Sequence, residues 1–229
     1  MSVKPILFNT DMVRAILDGR KTVTRRVVKP QPEMTLAYIM AGHNHGKWKY
    51  SVFEEEEYKK YQGKELYWTP PCNGDDILYV RETWCYGSDT TQILFDPEPR
   101  AYDIQYKADY PHIDKDLIKW RPSIHMPKEA ARIWLKVTNV RVERLRNITV
   151  EQAQSEGTES ACNKKCRSYQ WCDSDMVLKG GCECFSKLWD TTIKKTDINR
   201  YGWVANPWVW VIEFERCEKP QEENKNADK

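Results

Sequence analysis

The chain reads as a mostly β fold with short helices, an α+β protein built around a small barrel rather than a doubly wound sheet. Three observations carry that class. Strand-like runs recur at about Lys4–Phe8, Thr22–Val28, Ile77–Trp84, Asp103–Lys107, Ala131–Leu145 and Pro207–Arg216. Only one or two helical patterns separate them, too few to serve as crossovers for an all-parallel sheet. Turn signals such as Lys29-Pro30-Gln31-Pro32 and Asn73-Gly74-Asp75-Asp76 bound the runs.

Length and composition agree with one folded domain. With 229 residues, 40% hydrophobic content, ten Trp and twelve Tyr, the chain has enough apolar mass for a core that needs no disulfide staples. A formal charge of +2 does not by itself argue for a polyanion partner, although Arg20, Lys21, Arg25, Arg26 and Lys29 form a local cation cluster. No apolar run approaches a membrane span, and Met1 to Pro5 leads straight into a strand without a signal-peptide core, so a cytoplasmic protein is expected. In that compartment the eight cysteines are expected to be reduced.

The elements follow in order. After the first strand, Asn9-Thr10 starts a helix over Thr10–Leu17, with Val13, Ile16 and Leu17 at helical spacing and Gly19 as its stop. In the next strand Thr22, Thr24 and Arg26 share one face, Val23 and Val27 the other. An insertion over about 33–70 is polar and aromatic, with a Glu54-Glu55-Glu56-Glu57 run and no clear period, although Trp48, Tyr50 and Phe53 are able to pack. Glu82 and Trp84 then share a strand face, opposite Arg81 and Thr83. The segment Trp120 to Pro127 is too rich in proline for a central strand. Thr149 and Gln152 have capping-box spacing, Ile148 and Ala153 that of a hydrophobic staple, and Gly157 stops a helix over about Val150–Glu156. A second insertion over about 158–182, a helix through Phe185, Leu188 and Trp189, the final strand and a disordered tail over 218–229 complete one domain over 1–217.

The stretch Ile16 to Arg26 concentrates chemistry. A glycine turn, a lysine and a strand-borne threonine lie between a helix and a polar strand face, which suits a polar or anionic ligand. The plain alternative is a helix C-terminus decorated with cations. Glu156 stands in the last turn of its helix, where a carboxylate opposes the dipole at a cost of roughly 0.3 to 1 kcal/mol.

Gly19-Arg20-Lys21-Thr22-Val23-Thr24-Arg25-Arg26 resembles the Gly-x-Lys-x-x-Glu-x-Arg signature of the ASCH domain, a small barrel related to the PUA fold, with Gly19, Lys21 and Arg26 in register. Thr24 replaces the signature glutamate. In that respect the segment resembles the branch of small ASCH proteins that hydrolyse N4-acetylcytidine. The resemblance implies a catalytic Lys21 and Thr24, with Glu156 after Ile148-Thr149-Val150-Glu151-Gln152-Ala153 as the third member. It covers about half of the chain. The whole chain, including Trp120 to Pro127 and the Trp-rich final strand, looks most like prophage-encoded ASCH proteins.

Chemistry makes that trio intelligible. A hydroxyl nucleophile at Thr24 needs a base, and a lysine serves once burial lowers its proton affinity. Lys21 lies three positions earlier, on the opposite face of a straight strand, so the Gly19 turn must bring its amine round. For substrate contacts the candidates are Arg26 beside Thr24, Glu82 and Trp84 on their shared face, and Arg121, Ser123 and His125, which alternate between prolines. Core packing is the ordinary role of a tryptophan such as Trp84.

No cofactor is expected for the reaction. Cys162, Cys166, Cys172, Cys182 and Cys184 form a candidate structural zinc site: Cys162-x-x-x-Cys166 has ligand spacing, while the remaining spacings fit no standard finger and one cysteine is left over. Three functions stay open at this point: an amidohydrolase of N4-acylated cytidine or a related modified nucleoside; a nucleic-acid or modified-base reader holding phosphate with Lys21, Arg25 and Arg26 and stacking a base on Trp84 or Trp120; and a ribonuclease using the same cations.

Overall fold

A computed structural model describes residues 1–31, 38–40, 48–51, 66–87, 103–110, 112, 117–158 and 185–221, with backbone alone for 38–40, 48–51 and 66–68. The fold is a mixed α+β one. Strand β1 (Val3–Leu7) leads into helix α1 (Thr10–Leu17), which begins where the sequence places it because Asn9 Oδ1 accepts from the Met12 amide at 2.9 Å. Gly19 ends the helix at φ +73°, the left-handed turn that lets the Gly19 and Arg20 amides reach back to Ile16 and Ala15. Then come β2 (Val23–Val27), β3 (Tyr38–Met40), β4 (Trp48–Ser51), β5 (Leu66–Trp68), β6 (Ile77–Arg81), β7 (Trp84–Tyr86) and β8 (Ile104–Tyr106). The second half holds β9 (Trp134–Arg144), α2 (Val150–Ser155), α3 over 185–192, α4 (Ile198–Tyr201) and β10 (Trp208–Cys217).

The sequence reading treats 1–217 as one domain; the chain divides into two compact units, and β9 and β10 each contribute residues to both. In the first unit (Met1–Arg14, Asp75–Lys136, Glu215–Lys229), β1 runs parallel to β6 with Val3 opposite Ile77, and β6 pairs antiparallel with the start of β9. Asp76 ties the two strand starts together, accepting from the Ser2 amide and hydroxyl and from Lys4 Nζ at 2.8 to 2.9 Å. The expected strand over Ile77–Trp84 is two strands. Glu82 and Thr83 break it, because Trp84 begins a new antiparallel pair with β8 while the Glu82 carboxylate turns to Arg132. Ile77, Trp84, Met126, Ala130, Ala131 and Trp134 form this unit's core.

In the second unit (Ala15–Gly74, Val137–Phe214), β10 pairs antiparallel with β2, Ile212 opposite Thr24. Val209 to Ile212 are buried in succession, as expected of an apolar run covered on both faces. The backbone of β3, β4 and β5 forms a separate antiparallel sheet inside the stretch expected as an insertion. The core of the second unit joins Val23, Leu145, Ile148, Ala153, Phe185, Trp189, Val209 and Val211. In neither unit do the described strands close into a barrel. Among the described residues no helix is long and apolar enough to cross a membrane.

Candidate active site

The second unit brings Lys21 and Glu156 together. Beyond Gly19, the Lys21 amide still bonds to Ala15 O at 2.9 Å, and the Thr22 amide bonds to Ser155 O at 2.9 Å, so residues 21–22 pair with the end of α2. Helix α2 starts at the expected capping box, with Thr149 and Gln152 exchanging hydrogen bonds at 3.3 Å. Glu156 is its C-cap, and Gly157 follows at φ +87°. The close approach leaves no room at Gly157. A Cβ there would lie 2.7 Å from Ala15 Cβ and 3.4 Å from Lys21 Cβ. Gly157→Ala is expected to destabilise the fold by about 2–4 kcal/mol through left-handed strain and overpacking, read as a lowered urea midpoint. An unchanged midpoint would show that this approach is not needed.

Lys21 is buried without side-chain exposure. Its Nζ donates to Glu156 Oε2 at 2.6 Å, to Val23 O at 2.7 Å and to Glu156 O at 3.1 Å. Glu156, with a side chain 4% exposed, also accepts from Arg25 Nη1 at 3.2 Å. The carboxylate at the unfavourable helix end is thus held by two cations, which offsets the dipole. Arg25 continues to Gln152 Oε1 at 2.7 Å, so the capping-box glutamine also anchors the site. Burial lowers the Lys21 pKa from its ordinary value, with Glu156 opposing and Arg26 and Arg25 reinforcing the shift. Burial likewise pushes Arg26 down, against the pull of Glu156 and Cys72.

Thr24 is buried at 3% exposure on β2. Strand alternation turns its side chain away from Val23 and Arg25, and no hydrogen bond joins it to Lys21 or Glu156 among the described residues. The peptide that receives the Lys21 amine is, however, the one that joins Val23 to Thr24. Arg26 is half-buried on the Thr24 side of the strand.

The remaining candidates lie in the first unit. Glu82 is not displayed to a ligand: Arg132 grips both of its oxygens, Nε to Oε1 at 2.9 Å and Nη2 to Oε2 at 3.0 Å. Arg132 also binds Asp109 at 2.7 and 3.0 Å and rests 4.0 Å from the Tyr106 ring centre. Trp84 is a core residue at 3% exposure, and it also walls a concavity of about 530 Å³ with Tyr86, Lys119, Arg121, Pro122, His125 and Pro127. Ser123 does not line it. Pro122 starts a 3-10 turn over Ser123–His125, and residues two apart in such a turn do not share a face as they would in a strand. Trp120 packs instead beside Cys85 and Ile118.

Sequence reasoning missed Arg25 and Arg132 as partners of the site carboxylates, and Gln152 as the acceptor for Arg25. Arg25 left a signal, since a guanidinium on the Val23 face of a buried strand requires a buried acceptor. The five clustered cysteines fall outside the described residues; among those described, Cys72, Cys85 and Cys217 are not joined in disulfides and no group of metal-ligating side chains is present. Compared with known proteins, the chain matches no family model, no curated protein and no solved structure.

Proposed function

We propose that this chain is an ASCH-type amidohydrolase on a PUA-like scaffold, removing the acyl group from N4-acylated cytidine or a related modified nucleoside. The observation that carries the reading is the buried Lys21–Glu156 pair at 2.6 Å, with Lys21 two residues before the strand that bears Thr24. Burial is what a base lysine needs. In water an ammonium holds its proton too firmly to serve at neutral pH, whereas a desolvated amine gives it up.

In the reaction Thr24 Oγ1 attacks the acyl carbon and its proton passes to the Lys21 amine. The C–N4 bond then breaks, and Lys21 returns that proton to the leaving exocyclic nitrogen, a weak base because its lone pair is delocalised into the ring. The acyl ester on Thr24 is hydrolysed by water, releasing a carboxylic acid and restoring the hydroxyl. Glu156 orients Lys21 and exchanges the proton with it across their short contact, and Arg25 keeps Glu156 in place. General acid–base assistance of this kind contributes roughly 100- to 10,000-fold.

The same burial weighs against a reader that grips phosphate with Lys21 and Arg25. Both side chains have no exposure and already hold Glu156.

The test is release of cytidine from N4-acetylcytidine, followed chromatographically, with Lys21→Ala in parallel and its folding checked by circular dichroism. Wild type releases cytidine and the variant does not. No release by wild type, or equal release by a folded Lys21→Ala, rejects the assignment. Because Lys21 acts as a neutral base, kcat/KM should rise with pH and level off at a midpoint below the ordinary lysine value of 10.5. A rate that falls across that range would contradict a base role for Lys21.

A further inference from the structure

We propose that Arg25 is the positioning residue that makes Lys21 a base: it takes the second oxygen of the Glu156 carboxylate and leaves the buried trio with one surplus positive charge, which Lys21 sheds to solvent as a proton. The inference rests on the amidohydrolase reading, since it explains how the base of that reaction is set.

Charge counting is the first argument. Alone, Lys21 and Glu156 would form a neutral buried pair, and a carboxylate at 2.6 Å favours the ammonium. Arg25 changes the count. Its Nη1 lies 3.2 Å from Glu156 Oε1 while Lys21 holds Oε2, so two cations without side-chain exposure share one carboxylate. Arginine keeps its proton in proteins, so the surplus charge leaves from Lys21. Arg25 and Glu156 then remain in place as a neutral pair.

The surroundings leave that surplus standing. From β9, Glu143 faces Arg25 at 3.6 Å, beyond hydrogen-bond distance, and is shared with Arg141, which also grips Glu213 of β10. Those three side chains are 21 to 35% exposed, so water screens them far more than it screens Lys21 and Arg25. In the turn before β2, Arg20 and Asp18 pair with each other at 2.8 Å. On β2 itself Arg26, which also feels Cys72, disfavours the Lys21 ammonium as Arg25 does. Burial, the largest cause, and the two arginines lower the Lys21 pKa together, against the pull of Glu156.

Rigidity is the second argument. Gln152 Oε1 accepts from Arg25 Nη2 at 2.7 Å and from the Thr149 amide at 3.3 Å, so one atom holds both the guanidinium and the start of α2. The Phe185 ring centre lies 5.8 Å from the guanidinium carbon. A guanidinium fixed in this way keeps its charge at the carboxylate instead of moving off it.

The experiment titrates the Lys21 amine directly, by the carbon-13 shift of its Cε in lysine-labelled full-length protein, and in parallel follows kcat/KM for cytidine release from N4-acetylcytidine at each pH. Lys21→Met identifies the resonance by its loss. Arg25→Met should raise both midpoints by at least about one pH unit, so turnover falls about tenfold or more below the wild-type midpoint and returns as the pH is raised. Gln152→Glu decides the matter should Arg25→Met fail to fold. A carboxylate can make both contacts of Gln152 Oε1 and keeps the capping box, yet it neutralises the guanidinium and should also raise the midpoints. A folded Arg25→Met or Gln152→Glu whose Lys21 amine titrates at or below the wild-type pH overturns the proposal, as does turnover lost equally at every pH. Wild type that releases no cytidine rejects the amidohydrolase reading, and the amine titration still decides whether Arg25 lowers the proton affinity of Lys21.

Discussion

Lys21→Met is expected to lower the stability of the chain by about 3 kcal/mol, or roughly 6–12 °C in melting temperature, even though methionine is the more apolar residue. The reason lies in what remains. The Glu156 carboxylate, 4% exposed, loses its 2.6 Å partner and keeps only Arg25 at 3.2 Å, a buried charge without sufficient compensation. Arg25 places the effect at the lower end of the range for broken buried pairs. Removing both charges relieves that problem, so Lys21→Met/Glu156→Leu should lose less stability than the sum of the two single variants. Strict additivity, or a Lys21→Met variant within about 1 kcal/mol of wild type, would show that the pair is not coupled in the folded state.

The pH dependence carries the same signature. Burial holds the folded-state Lys21 pKa below its ordinary value of 10.5, so between the two values the unfolded chain binds more protons than the folded one. Stability contributed by this group therefore rises with pH across that window. Lys21→Met removes the rise. Urea unfolding at a series of alkaline pH values reads it directly, and the same slope in wild type and variant would assign it to other groups.

What could be read from sequence depends on how far each residue reaches for its partner. Helix α1, the capping box of Thr149 and Gln152, and the left-handed turns at Gly19 and Gly157 are local in origin, and they fall where the pattern places them. Glu156 was legible as an anomaly, a carboxylate at the wrong end of a helix, but its partners were not. Lys21 and Arg25 lie 135 and 131 positions away, and period-2 alternation carries no information on which strand a helix end will meet. Glu82 shows the opposite error: alternation displays it on a strand face beside Trp84, whereas Arg132, 50 positions on, covers both of its oxygens. Barrel closure is likewise a long-range property. Strand count and spacing suggest it, and the order of the described strands is open.

Thr24→Val should reduce cytidine release from N4-acetylcytidine by at least about a thousandfold, the scale seen when a covalent nucleophile is removed, while Thr24→Ser retains measurable turnover. Valine preserves the β-branched shape and deletes only the hydroxyl. At 3% exposure opposite Ile212, Thr24 is surrounded by a paired ladder that valine maintains, and no hydrogen bond to its hydroxyl is lost among the described residues. Stability should therefore stay within about 1 kcal/mol of wild type, which separates loss of chemistry from loss of fold. The serine variant supplies the converse control, because it returns the hydroxyl on a less constrained side chain. Acyl transfer through Thr24 also leaves a trace that a positioning role would not: brief mixing with substrate should add the mass of one acetyl group to the wild-type chain and none to Thr24→Val. Wild-type turnover by Thr24→Val would remove Thr24 as the nucleophile and leave Lys21 and Glu156 to activate water directly.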